Sequence, residues 1–97
     1  MKFHLEPATD GVHKWVGVFT DAVEKRERRV PFGAKGYSDY TQHHDKLRRE
    51  RYLTRHRARE NWNDPMTAGA LSKYILWGDS ISIASNVRRF KQRFSLD

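Results

Sequence analysis

The sequence predicts an α+β domain, an N-terminal three-stranded antiparallel meander followed by three helices packed on one face. Three observations carry this prediction. Residues 1–34 alternate apolar and polar positions between turn-forming pairs, whereas from residue 38 onward the apolar residues recur at steps of three, four and seven. Strands come first and helices after, the order of a segregated α+β architecture rather than of alternating βα units. A chain of 97 residues holds one core, so residues 1–97 read as a single domain.

The meander occupies residues 1–34. In KFHLE, Phe3 and Leu5 alternate with polar neighbours; Asp10-Gly11 supplies turn chemistry, and Val12 to Phe19 is rich in β-branched and aromatic residues. Trp15, Val16 and Val18 flank Gly17 in a way that cannot put all three on one face. That calls for a bulge at Gly17 or for burial on both faces. Asp21-Ala22 makes a second turn, and KRERRVPF is a third, more polar strand whose Pro31 suits a strand end or an edge. The following GAKG, residues 33–36, is a joint, too short for a phosphate-cradling GxxxxGK[ST] loop.

A long basic helix is expected over 38–62, capped by Ser38 or Asp39. Tyr40, Leu47, Thr54, Ala58 and Trp62 share one helical stripe, which makes that stripe its core face. Asn63-Asp64-Pro65 is a restart signal: Asp64 can accept orphan N–H groups while Pro65 takes the first helical position, where it has no donor to lose. The second helix then covers 65–77, with Gly78 as its C-terminal cap. The third covers 80–94, where Ile83, Val87, Phe90 and Phe94 form the apolar face. Glu60 to Pro65 reads as a structural corner with Trp62 plugging the core. Thr67-Ala68-Gly69-Ala70 leaves room for another backbone to approach, from the chain's own sheet or from a neighbouring protein.

Composition bounds the function. The absence of cysteine excludes disulfides, thiolate zinc sites and a cysteine nucleophile together. The net charge of +7 and the pI near 10.1 favour polyanionic partners. The excess is distributed, +2 over residues 1–37, +2 over 38–64 and +3 over 65–97, so a basic surface has to be assembled by folding. The N-terminal MKFHLEPATDG lacks the apolar stretch of a signal peptide, and no run approaches the roughly 20 apolar residues of a membrane span. The expectation is no membrane span and no secretion by a signal peptide.

The residues expected to meet a polyanion or an acidic partner are Lys46, Arg48, Arg49, Arg51, Arg55, Arg57 and Arg59 on the long helix, and Arg88, Arg89, Lys91 and Arg93 on the last. Arginine suits this work because its planar fork pairs bidentately with phosphate and carboxylate. The bland alternative is a solvated face with internal pairs; Asp45 with Arg49 is a favourable i,i+4 spacing and Arg55 with Arg59 an unfavourable one. If both helices pack through their apolar faces, the two basic sides can merge at one rim. His43, His44 and His56 lie on or beside the basic helix, and His56 with Glu60 has i,i+4 ligand spacing. A metal site needs further convergent ligands, and no HExxH pattern is present, so neither a metal nor a cofactor is expected. Without a nucleophile motif or paired carboxylates, a nuclease-like enzyme ranks third among the readings. Trp15 and Phe19 could stack on single-stranded bases if exposed; core packing is their ordinary fate in so small a domain.

FGAKGYSDYT, RHRARENWNDPMTAGALSKYILWG and RRFKQRF together resemble a family of small proteins encoded by large double-stranded DNA viruses of algae and protists. The resemblance spans Phe32 to Phe94, about two thirds of the chain, and leaves out the hairpin. It implies a viral origin and no particular activity or catalytic residue. The expected role is therefore a non-enzymatic binding protein, a minor structural component of the virion that contacts viral structural proteins or packaged DNA. The alternative is a free nucleic-acid-binding protein in the cytoplasm or nucleus of the infected cell. Oligomer contacts are available through the hairpin edge or the Gly69 small-residue face.

Overall fold

In the computed structural model, which describes residues 1–97, three antiparallel strands lie in the order β1 (Lys2–Pro7), β2 (His13–Thr20), β3 (Glu27–Ala34). Asp10 Oδ1 accepts the N–H groups of Val12 and His13, both at 2.8 Å, and closes the first turn. Asp21 does the same for Val23 and Glu24 in the second. The register is continuous, with Phe3 opposite Phe19, Leu5 opposite Gly17 and Trp15 opposite Phe32.

This register settles the question posed by Gly17: no bulge interrupts β2, and the strand is buried on both faces. On the helix side stand Phe3, Phe19 and Phe32, with Trp15 and Val30 beside them. Gly17 belongs to this side because a Cβ there would come within 2.9 Å of Leu71 Cδ1, so its missing side chain lets the helical layer close onto the strand. On the other side Val18 is fully buried although no helix covers it. Its cover is the ion pair of Glu6 on β1 with Arg29 on β3, which crosses β2 and continues to His4 and Glu27. The apolar stems of these long side chains shield the valines while their heads stay wet.

The basic segment is two helices, not one over 38–62. α1 (Tyr40–His43) is capped by Asp39, whose side chain accepts from Thr41 N–H while the Gln42 side chain accepts from Asp39 N–H. It stops at His44 in the left-handed conformation, φ +59°. Asp45 then caps α2 (Lys46–Arg57) by accepting from the N–H groups of Leu47 and Arg48. Two capping aspartates six residues apart cannot both lie inside one helix, and each starts its own. α2 ends well short of Trp62, which is half-buried off the helix. The expected core stripe fails accordingly: Tyr40 is buried, but Leu47 is 55% exposed and Thr54 and Ala58 face solvent. The inner side of α2 is Arg49, Tyr52, Leu53 and His56.

The second predicted helix starts later than Pro65. Asp64 Oδ1 accepts from Met66 N–H in a tight turn, and Thr67 is the true cap, its hydroxyl accepting from Ala70 N–H at 3.1 Å. α3 (Ala68–Leu71) runs directly into a π-helical turn, Ser72–Leu76, closed by Trp77 N–H on Ser72 C=O at 2.9 Å. The wider turn brings position i+5 toward the face of i, and Leu71, Ile75 and Leu76 all enter the core. α4 (Ile83–Arg93) is capped by Ser82 rather than starting near Ser80. Its predicted stripe holds, with Phe90 in the core and Ile83, Val87 and Phe94 packed against it.

Two further glycines, Gly78 and Gly69, also act by close approach. A Cβ on Gly78 would lie 2.3 Å from Tyr74 C=O and 2.8 Å from the Asn86 side chain, so this residue makes room for α4 rather than forming a left-handed cap. At Gly69 the approaching group is the chain's own Glu60 carboxylate, 1.8 Å from where a Cβ would sit. The Gly69 face is thereby approached from within the chain, by a carboxylate at the end of a flexible side chain. Along the outer edge of β1, Phe3 N–H donates to Asp97 C=O and Asp97 N–H to Met1 C=O, both at 2.9 Å, covering one end of the hairpin edge. No helix is long and apolar enough to cross a membrane.

Candidate polyanion-binding surface

α2 is fastened to the π-helical turn by a ladder of rings. Tyr52 lies parallel to Trp77 with centroids 4.1 Å apart and planes within 2°; His56 covers the other face of Tyr52 at 4.2 Å, and His43 meets Trp77 at 5.3 Å. Burial pushes the Tyr52 phenol up and desolvation holds His43 below the usual histidine range. His43 Nδ1 accepts from Asp45 N–H at 2.9 Å, which assigns the proton to Nε2, an atom buried without a partner. The ladder sets the rotation of α2 and so decides which of its cations face inward.

Arg49 faces inward. Its Nε donates to the C=O groups of Trp77 and Gly78, both at 3.0 Å, and its Nη2 to Asp79 at 2.8 Å. These are carbonyls left over where the π-helical turn ends, and Arg49 serves them from another helix. The Asp45–Arg49 side-chain pair suggested by spacing does not form, because the Asp45 carboxylate is engaged in capping. Arg89 reaches the same Asp79 at 3.6 Å. Arg49 on the inner side of α2 and Arg89 on α4 thus share one carboxylate.

Nine of the eleven expected residues are otherwise disposed. Lys46, Arg48, Arg51, Arg55, Arg57, Arg59, Arg88, Lys91 and Arg93 have no carboxylate within 4.0 Å. Arg88 donates to Ser85 Oγ at 3.1 Å, and Arg48 lies 3.5 Å from Ser38 Oγ. Arg48, Arg51 and Arg55, at i, i+3 and i+7, converge beside Trp77 around a hollow of about 180 Å³. Arg48 and Arg55 also wall a neighbouring cleft of about 360 Å³ between α2 and the β3–α1 connection. In that cleft Lys14 is already neutralised, bonded to the buried Asp39 and to Gln42, each at 2.7 Å. Its free cations are the two arginines.

A third hollow, about 170 Å³, brings together Arg49, Arg89, Arg93 and Lys73. Sequence reasoning passed over Lys73 because it sits in the apolar run Leu71 to Trp77. Tyr37, on the rim of the larger cleft and 76% exposed, was missed for want of any local signal. Phe19 is buried in the core and Trp15 is half-buried, packed against it. His56 comes within 3.7 Å of Glu60, but no group of three His, Asp or Glu side chains converges.

Comparison with known proteins finds one family: residues 3–56 match a family of unknown function, DUF5754. The match takes in the sheet from Phe3 onward, α1 and α2 through His56, including Arg48, Arg51 and Arg55, and none of residues 57–97. No curated protein and no solved structure matches.

Proposed function

We propose that this chain, which belongs to the family of unknown function DUF5754, is a non-enzymatic protein that binds the phosphate backbone of nucleic acid along α2. The observation that carries the reading is the convergence of Arg48, Arg51 and Arg55 beside Trp77 with no carboxylate to neutralise them. From Arg48 to Arg55 the helix advances about 10 Å, roughly three nucleotides of rise along one strand, so successive guanidinium groups can meet successive phosphates. Lys46, Arg57 and Arg59 add exposed charge at the two ends of this row, and phosphate contacts of this kind position a protein without reading sequence.

The setting in this reading is a virus particle, where the protein is a minor structural component on the packaged DNA. The support is the resemblance of Phe32 to Phe94 to small proteins of large DNA viruses. Recovery from purified particles at fixed stoichiometry distinguishes this from free action in the infected cell.

Fluorescence anisotropy with short duplex and single-stranded DNA across about 50 to 200 mM salt tests the binding surface. Affinity is expected to fall steeply with salt, and replacing Arg48, Arg51 and Arg55 by Ala to lower the slope by about one for each phosphate no longer neutralised. Weak binding, or a triple variant with an unchanged slope, overturns the proposal and transfers the surface to an acidic protein partner.

A further inference from the structure

The hollow between α2, the π-helical turn and α4 does not balance its own charge. Four cations line it, Arg49, Lys73, Arg89 and Arg93, against the single carboxylate of Asp79. Asp79 is 73% exposed and already shared, at 2.8 Å from Arg49 and 3.6 Å from Arg89. Lys73 and Arg93 have no carboxylate within 4.0 Å and donate to no protein oxygen. They are held by rings instead: Lys73 Nζ stands 4.8 Å from the Trp62 centroid and 4.2 Å from that of Tyr74, and Arg93 Cζ lies 4.8 Å from Tyr74. Cation–π contacts hold a cation in place without satisfying its N–H donors.

The ligand follows from this arrangement. The net charge of the four cations and Asp79 is +3; a carboxylate offsets one unit of it, whereas a phosphate group offsets about 1.5 to 2 and brings several acceptor oxygens. The volume, about 170 Å³, admits a phosphate group and is too small for a nucleoside. The unengaged Arg93 guanidinium and Lys73 ammonium supply donors for a tetrahedral oxyanion, and Arg89, held only at 3.6 Å from Asp79, can add its own. We propose that this hollow is a binding site for a single phosphate group, either inorganic phosphate or the terminal phosphate of an ester. It shares no side chain with the Arg48–Arg51–Arg55 surface and stands or falls apart from it. Burial, followed by the nearby Arg93 and Arg49 charges, holds the Lys73 ammonium below the usual lysine range, so a bound anion would return it upward.

Thermal unfolding in low-millimolar sodium phosphate, against sodium chloride of equal ionic strength, tests the site. At phosphate ten times its Kd the folding constant rises about elevenfold, read as a Tm increase of roughly 5 to 10 °C over chloride. Lys73→Gln and Arg93→Gln are expected to abolish that difference, while Arg28→Gln, a remote exposed cation on β3, keeps it. Equal Tm in the two salts, or a phosphate effect that survives Lys73→Gln and Arg93→Gln, overturns the proposal. Should the variants not fold, acylation of the unaltered protein decides: phosphate is expected to slow modification of Lys73 severalfold relative to Lys35, and equal protection of both refutes the site. Repeating this with a 5′-phosphorylated and a 5′-hydroxyl dinucleotide identifies the source. Protection by the phosphorylated form alone assigns the site to a nucleic-acid end; protection by inorganic phosphate alone assigns it to the free ion.

Discussion

Replacing Asn86 by Ala is expected to destabilise this protein more than any exposed substitution on α2. Asn86 is 1% exposed in α4, and its amide is fully used: Nδ2 donates to the C=O groups of Ile75 and Ser80, both at 2.8 Å, and Oδ1 accepts from Ser80 N–H at 3.1 Å. It thereby ties the end of the π-helical turn and the 78–82 connection to the last helix. Truncation deletes three bonds worth about 1 kcal/mol net each and strands the Ile75 carbonyl away from water, a desolvation cost of about 1–3 kcal/mol; water can reach the Ser80 groups more easily. The expected loss is roughly 4 to 6 kcal/mol, a large part of the roughly 5–15 kcal/mol typical of a folded domain. Urea unfolding followed by tryptophan fluorescence should show the midpoint falling with an unchanged m-value. Asn86→Asp should be at least as damaging, since it turns a donor facing two carbonyl oxygens into a carboxylate. A loss below about 1 kcal/mol for Asn86→Ala would refute the reasoning, because it would mean that water or a shifted backbone satisfies these groups at little cost.

Other substitutions separate roles that the charge pattern alone merges. Arg49→Ala should cost about 2 kcal/mol in urea unfolding, because the Trp77 and Gly78 carbonyls lose their donor, and leave the salt slope of DNA binding unchanged; Arg51→Ala should do the reverse. Gly78→Ala should destabilise by roughly 2 kcal/mol or more because a backbone carbonyl blocks its Cβ, whereas Gly69→Ala should be near neutral in the same assay, the Glu60 carboxylate being free to swing away. His43, held low mainly by desolvation and next by Arg48, with Asp45 and Asp39 opposing, binds fewer protons folded than unfolded. Its contribution to stability is therefore intact above the ordinary histidine value near 6.5 and is lost as pH falls below it. Urea midpoints at about pH 7.5 and 5.5 should differ less for His43→Asn than for the unaltered chain.

The elements that could be read in the chain are those whose signals are local. The meander announced itself through period-two alternation and two Asp-led turns, and the α4 stripe of Ile83, Val87, Phe90 and Phe94 through its spacing. The break at His44 was also written locally, in the capping aspartates Asp39 and Asp45, but a seven-residue step from Tyr40 to Leu47 mimicked continuity across it. The π-helical turn had no such signature, since its widened geometry is imposed by the need to seat Leu71, Ile75 and Leu76 against the sheet.

The same division applies to the candidate site. Sequence alone determined that the chain is basic and places a row of arginines on a helix, because charge and helical period are properties of neighbouring residues. Which of those arginines stay available was decided by tertiary structure. Arg48 and Arg49 are adjacent and chemically identical, yet a turn of about 100° sends one to open solvent and the other to carbonyls at positions 77 and 78. Lys73 became part of a cationic hollow only when folding brought Trp62, Arg49 and Arg93 around it. The physical reason is range: propensity, capping and periodicity act over a few residues, whereas desolvation and charge pairing depend on groups that only the folded chain brings within a few ångströms.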